Sequence, residues 1–211
     1  MGDKHANTSQ GFTERQEQLI HYALQLIAEQ GIEKLSLRNL ARAVGISEPA
    51  CYRHFDGKSA LLAGILRYFA GLRRELFRRI RESSPDSLAA VQAVVVRHCE
   101  LFEDSPVLVT LLFPEEIRQN RAELRAGVLE TMRFGQEQLV QILSEGRERG
   151  EVRRDLETEH LALAVHGSLR LLVTAWRLEG MEGNLRERGR RLALSLTSLI
   201  RSPVVSDAKG G

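Results

Sequence analysis

Apolar residues recur three and four positions apart along almost the whole chain, and the rhythm stops at Gly or Pro instead of giving way to alternation. Such spacing gathers the apolar set on one face of an α-helix, whereas a half-buried strand needs a period of two. From Thr13 to Gln30 the rule is met by Ile20, Ala23, Leu24 and Ile27, and Gly31 supplies the stop. It returns from Ser87 to Phe102, from Pro106 to about Phe113, from Glu115 to Arg149, from Glu157 to Leu178 and from Asn184 to Arg201. No strand pattern competes, and neither an internal repeat nor a low-complexity segment is present. The chain is therefore expected to be all-α, in keeping with five prolines and only 5% aromatic residues.

Two unusually short helices stand between residues 36 and 55. Ser36 is placed to cap the run Leu37, Leu40, Ala41 and Val44, and Gly45 to end it after two turns. Ser47 can cap the next helix, where Pro49 falls in the first turn and its missing N–H is tolerated. Cys51 and Phe55 form an inward pair four residues apart. After the turn dipeptide Asp56-Gly57, Lys58 begins a long helix with Leu62, Ile65, Leu66, Phe69, Leu76 and Ile80 on its apolar side, ending near Ser83-Ser84-Pro85.

The short pair has the form of a helix-turn-helix, in which one helix braces a second whose outer side enters the major groove of DNA. Leu40, Ala41, Val44, Ile46, Cys51 and Phe55 point inward in this reading. Glu48, Pro49, Ala50, Tyr52, Arg53 and His54 are left outside, and an ordinary solvated helix rarely shows a Tyr beside Arg and His. The run from Ser36 to Leu62, with Tyr52, Phe55 and Lys58 spaced as Tyr-x-x-Phe-x-x-Lys, resembles the DNA-binding domain of TetR-family transcriptional repressors over about residues 13 to 66.

This resemblance implies about nine helices, with an N-terminal DNA-binding domain over residues 1–60 and a helical effector-binding and dimerisation domain over 61–211. It implies a homodimer on a palindromic operator, released by a small apolar effector. Tyr52 and Lys58 would hold phosphates, Arg38 would reach a base, and Glu48, Pro49, Ala50 and Arg53 would occupy the variable base-reading positions, with Ser47 and His54 alongside. Cys51 departs from the larger aliphatic residue usual at its place and reads as a buried structural thiol.

Charge does not locate the partner by itself. The 30 Lys and Arg nearly balance 28 Asp and Glu, and residues 1–60 carry seven of each sign, so affinity for DNA must come from placement. On the fourth helix Arg67, Arg73, Arg74, Arg78, Arg79 and Arg81 read mostly as a solvated face. The two cysteines, Cys51 and Cys99, form no framework and suit a reducing, cytoplasmic compartment. Residues Met1 to Gly11 read as a disordered arm and Ser202 to Gly211 as a frayed tail. The stretch Leu161 to Trp176, broken by His166 and Arg170, falls short of the roughly 20 residues of a membrane span. No hydrolase, zinc-protease or phosphate-loop motif nominates a nucleophile, so no enzyme and no cofactor is expected. His98-Cys99-Glu100 lacks the spacing of a zinc site.

In the second domain His98 falls on the apolar face of Leu88, Val91, Val95 and Phe102, and His166 lies in an apolar helix near Arg170. Core neighbours or a ligand could satisfy either histidine. The candidate effector residues are His98, Phe102, Met132, His166 and Arg170, and Gly135 leaves room for a ligand or for close helix packing. Leu161, Val165, Leu169, Leu172 and Trp176 form one face of their helix, while Ala162, Leu163, Leu171 and Val173 spill onto others. One partner helix cannot cover all of these. Together with Leu192, Leu196, Leu199 and Ile200, they assign dimerisation to the last two helices. A ligand-independent architectural or protein-recruiting DNA binder is the alternative.

Overall fold

The structure is a computed structural model that describes residues 11–112 and 122–203. Among them are nine α-helices: α1 Glu14–Gln30, α2 Leu37–Val44, α3 Glu48–Tyr52, α4 Gly57–Ser83, α5 Ser87–Asp104, α6 Pro106–Leu112, α7 Ala122–Glu148, α8 Thr158–Leu178 and α9 Leu185–Ile200. Val152 and Arg201 form an isolated antiparallel bridge. The expected N-terminal arm apart from Gly11, Phe113, the start of the long helix from Glu115 and the tail beyond residue 203 lie outside the described residues.

Helix ends fall where local chemistry puts them. Thr13 accepts from the backbone N–H of Gln16 (3.2 Å), and Gln16 Oε1 accepts from the N–H of Thr13 (3.0 Å), a reciprocal cap on α1. Ser36 and Asn184 each accept an N–H from the first turn of α2 and α9. At the end of α2, Gly45 sits at φ 73°, a left-handed conformation that a side chain resists, and Ile46 N–H turns back to Ala41 O (3.0 Å). Ser47 differs from expectation: its side chain makes no capping bond, and Pro49 in the first turn of α3 removes one of the N–H groups that would need a cap.

The chain forms two compact units, Met1–Glu75 with Ser105–Thr131, and Leu76–Asp104 with Met132–Gly211. In the first, α1 buries Leu19, Ile20, Ala23, Leu26 and Ile27. The expected Leu24 is only half-buried, so the covered face is rotated toward Leu19 and Leu26. α4 contributes Leu61, Leu62, Ile65, Leu66 and Phe69. Arg73 corrects the solvated reading of the arginine run: it is buried and donates from Nη1 to Thr131 O (2.6 Å), and desolvation lowers its pKa to about 10. Arg67 stays exposed as expected, with its guanidinium lying 4.3 Å from the centre of the Phe12 ring.

In the second unit α5 and α9 pack side by side, with α8 against both. The end of α4 adds buried Phe77 and Ile80, whereas the expected Leu76 is half-buried. On α8 the covered face is Leu161, Ala162, Val165, Leu169, Val173 and Trp176. Ala162 and Val173 thus belong to the core instead of spilling out of it, and Leu172 is half-buried. Leu163, Leu171 and Leu178 of α8 and Leu194 and Leu199 of α9 are exposed, Leu171 to 70%. The stripe expected on α9 is split, since Leu196 and Ile200 are buried while Leu199 is not. The full α8, 21 residues with an 18-residue window of mean hydropathy 1.2, is long and apolar enough to cross a membrane by length and composition, unlike the shorter stretch judged from sequence. A helix with a buried core face meets the same test.

Candidate nucleic-acid interface and effector region

The DNA-facing candidates sit in the first unit, and several bonds set their positions. Leu40, Ala41, Cys51 and Phe55 are buried beneath α2 and α3, while Val44 and Ile46 are only half-buried. Burial pushes the Cys51 thiol above its ordinary pKa, which suits a packing role. With α3 only five residues long, Phe55 lies beyond its end, and the N–H of Phe55 still bonds to Cys51 O (3.1 Å). Gln16 Nε2 of α1 donates to His54 O (3.4 Å), fastening the exit of α3 to the first helix.

Above this base, Tyr52 is 51% exposed, Ser47, Pro49 and Arg53 are exposed, and Glu48, Ala50 and His54 are half-buried. Arg38 projects from the first turn of α2, where its Nε donates to Glu48 Oε2 (3.4 Å). Lys58, half-buried at the start of α4, donates from Nζ to Ile32 O (2.6 Å) and Glu33 O (3.4 Å). Its ammonium thereby ties α4 to the short 3-10 turn Ile32–Lys34, a contact that sequence spacing does not reveal. Asn39, absent from the sequence reading, holds the same turn through Nδ2 to Lys34 O (2.8 Å). The surface so formed offers two guanidiniums, a phenol and helix-terminal N–H groups, the donors that phosphates and guanine edges accept from.

The five effector candidates all fall in the second unit. His98 is buried, with Nδ1 2.7 Å from Val94 O. Its ring lies 5.7 Å from that of Phe77 and 6.4 Å from that of buried Phe102, and Phe77 meets Phe134 edge-on at 5.7 Å. Met132 and Arg170 touch across α7 and α8, Nη1 lying 3.8 Å from Sδ, and His166 precedes Arg170 by one turn. Burial lowers the pKa of Arg170. The structure thus joins Met132 to Arg170 and His98 to Phe102. Phe77 and Phe134 were missed by the sequence reading, although both carry the apolar spacing of their helices. Gly135 is buried within an uninterrupted α7.

Trp176 was also overlooked as a polar group. It is buried, and its indole N–H has no hydrogen-bond partner among the described residues. A surface cleft of about 210 Å³, lined by Arg81, Ser87, Glu145 and Arg149 among others, includes none of the five candidates. Among the described residues no group of three or more His, Cys, Asp and Glu could hold a metal ion.

Residues 19–65 match a family model described as bacterial regulatory proteins, tetR family, and residues 74–196 match one described as the C-terminal region of YsiA-like protein. The chain is 29% identical over 155 residues to the HTH-type transcriptional repressor KstR2 of Rhodococcus jostii strain RHA1, covering 73% of this chain and 76% of that protein. It is 25% identical over 158 residues to the nucleoid occlusion factor SlmA of Vibrio campbellii, covering 74% and 81%. Among solved structures, the transcriptional regulator FadR from Bacillus subtilis in complex with stearoyl-CoA superposes with a TM-score of 0.76 at 24% identity, covering 87% of this chain and 98% of that one.

Proposed function

This chain belongs to the tetR family of bacterial regulatory proteins and is a helix-turn-helix transcriptional repressor, and we propose how its parts divide that work. Residues 1–60 read DNA and residues 61–211 receive the effector and form a homodimer, in the cytoplasm. Each protomer lays α3 in the major groove of one half of a palindromic operator. Arg38, Glu48, Pro49, Ala50 and Arg53 face the bases, while Ser47, Tyr52, His54 and Lys58 face the backbone. The observation that carries this reading is the exposed Tyr52 at the end of a five-residue helix and the exposed Arg53 that caps it, held down by buried Cys51 within the helix and buried Phe55 just past its end.

The exposed leucines of α8 and α9 support dimerisation through these two helices, since several large apolar side chains left exposed on neighbouring helices are normally covered by a partner. For the effector we propose an acyl-coenzyme A thioester, a class supported by the stearoyl-CoA held by the Bacillus subtilis regulator. His98, Phe102, Met132, His166 and Arg170 line its site, the rings and the thioether meeting the acyl chain and a cation or imidazole meeting its polar end. The ligand releases DNA by favouring a dimer whose half-site spacing no longer fits, and tenfold release needs about 1.4 kcal/mol of differential affinity.

The test enriches a random duplex library on the full-length protein, then titrates the selected duplex in the presence of stearoyl-CoA, isovaleryl-CoA, the free acids and coenzyme A alone. Release of the DNA by at least one acyl thioester and not by coenzyme A is expected. Failure of every thioester removes the effector assignment and leaves DNA binding standing. A second reading, a DNA binder that works without an effector, draws on the match to the nucleoid occlusion factor and is favoured by that outcome.

A further inference from the structure

Arg38 and Glu48, which sequence reasoning sends to separate bases, are bonded to each other across the turn at Gly45. Arg38 Nε donates to Glu48 Oε2 (3.4 Å), with side-chain exposures of 74% and 38%, so the pair sits at the surface that meets DNA. An exposed pair of this kind contributes little to folding, and stability alone gives no reason for it. Its geometry supplies another. A guanidinium is a rigid plane with five N–H donors. A carboxylate on Nε restrains that plane, and because Glu48 is bonded through Nε alone, the end-on edge shared by the two Nη groups is left to other acceptors. The Nη pair is the fork that guanine O6 and N7 accept from. A fork already aimed loses less conformational freedom on binding than one that must be collected from many rotamers.

Resting on the DNA-reading role above, we propose that Glu48 is a positioning residue: it aims Arg38 at one guanine in each half-site, and the two side chains read one base pair together instead of two. The carboxylate is committed to the guanidinium and does not accept from a cytosine amino group. Its cost is repulsion from the phosphates, which lowers affinity for DNA of any sequence while sharpening the choice of one base.

The experiment uses full-length protein, the duplex enriched from a random library, its single base-pair variants, and one random duplex. Wild type is compared with Arg38→Ala, Glu48→Ala, Glu48→Gln and the double alanine variant. Arg38→Ala and Glu48→Ala should flatten the preference at the same operator position, Glu48→Ala by about tenfold. The double variant should lose no more than Arg38→Ala alone. Glu48→Gln should keep part of the preference, because its amide oxygen still accepts from Nε. Glu48→Ala should bind the random duplex at least as tightly as wild type, with a melting temperature within about 2 °C of it. Loss at a different position from Arg38→Ala overturns the proposal, since Glu48 then reads its own base. A uniform loss on every duplex with a lower melting temperature, or an unchanged preference, overturns it equally. A wild-type protein that enriches no sequence overturns the DNA-reading role itself, an outcome distinct from the other three.

Discussion

Gly189 gives the packing of α5 against α9 a quantitative test. A Cβ built at residue 189 would stand 2.5 Å from Cys99 Sγ and 2.8 Å from Cys99 Cβ. Unstrained carbon contacts lie at about 3.5–4.0 Å, so the two helices must part by about 1 Å to admit one methyl group. Turning the thiol away relieves the sulfur contact but not the second, because the Cys99 Cβ is fixed to the α5 backbone. Overpacking of this kind costs about 1–3 kcal/mol, and replacing a helical glycine with alanine returns about 1 kcal/mol of propensity. With the clash at the upper end of that range, Gly189→Ala should lose about 1–2 kcal/mol net. For a chain of this size that lowers the melting temperature by about 2–8 °C in circular dichroism. Cys99→Ala removes the sulfur contact, so the double variant should be more stable than the sum of the single losses by about 1 kcal/mol in urea titrations. Gly127→Ala is the control. Its new Cβ meets Leu66 Cδ1 at 3.2 Å, the end of a side chain that can turn aside, and stability should hold or rise. A Gly189→Ala protein as stable as wild type, or strictly additive losses in the double variant, would refute this account.

Three further outcomes follow from the geometry. Arg73→Ala should cost about 2 kcal/mol in a urea titration through loss of the buried bond to Thr131 O, whereas the exposed neighbour Arg74→Ala should cost less than about 0.5 kcal/mol; equal losses would contradict the burial. Leu171→Glu, at an exposed site of α8, should leave helicity unchanged and yield monomer in sedimentation; a persistent dimer would place the interface elsewhere. Burial pushes the Cys99 thiol from 9.0 to about 12, so both buried cysteines should resist a thiol reagent at pH 8 until the chain unfolds. Below pH 9 folded and unfolded chains alike keep the Cys99 proton. Above it only the unfolded chain releases the proton, so this group's contribution must fall as pH rises from 9 toward 12.

Much of the architecture was legible in the sequence because helix boundaries are set by local groups. Thr13, Ser36 and Asn184 accept N–H bonds from residues three positions on, and Gly45 adopts a left-handed conformation that few side chains tolerate. A cap needs only its own turn, so nothing distant has to be known. The DNA-facing candidates benefit from the same locality, being carried by one short run between Arg38 and Lys58. Helix phase is different. Successive residues are about 100° apart around the axis, so a neighbouring element decides which of two adjacent positions is covered. This is why Leu26 is buried and Leu24 half-buried, why Ile200 is covered and Leu199 is not, and why Arg73 left the solvated face. The effector candidates depend on α5, α7 and α8 approaching one another, and no single segment of sequence encodes where their side chains meet. The bonds that give Lys58, Arg38 and Glu48 their settings belong to tertiary structure for the same reason: each joins residues ten or more positions apart, and only the folded chain brings their donors and acceptors together.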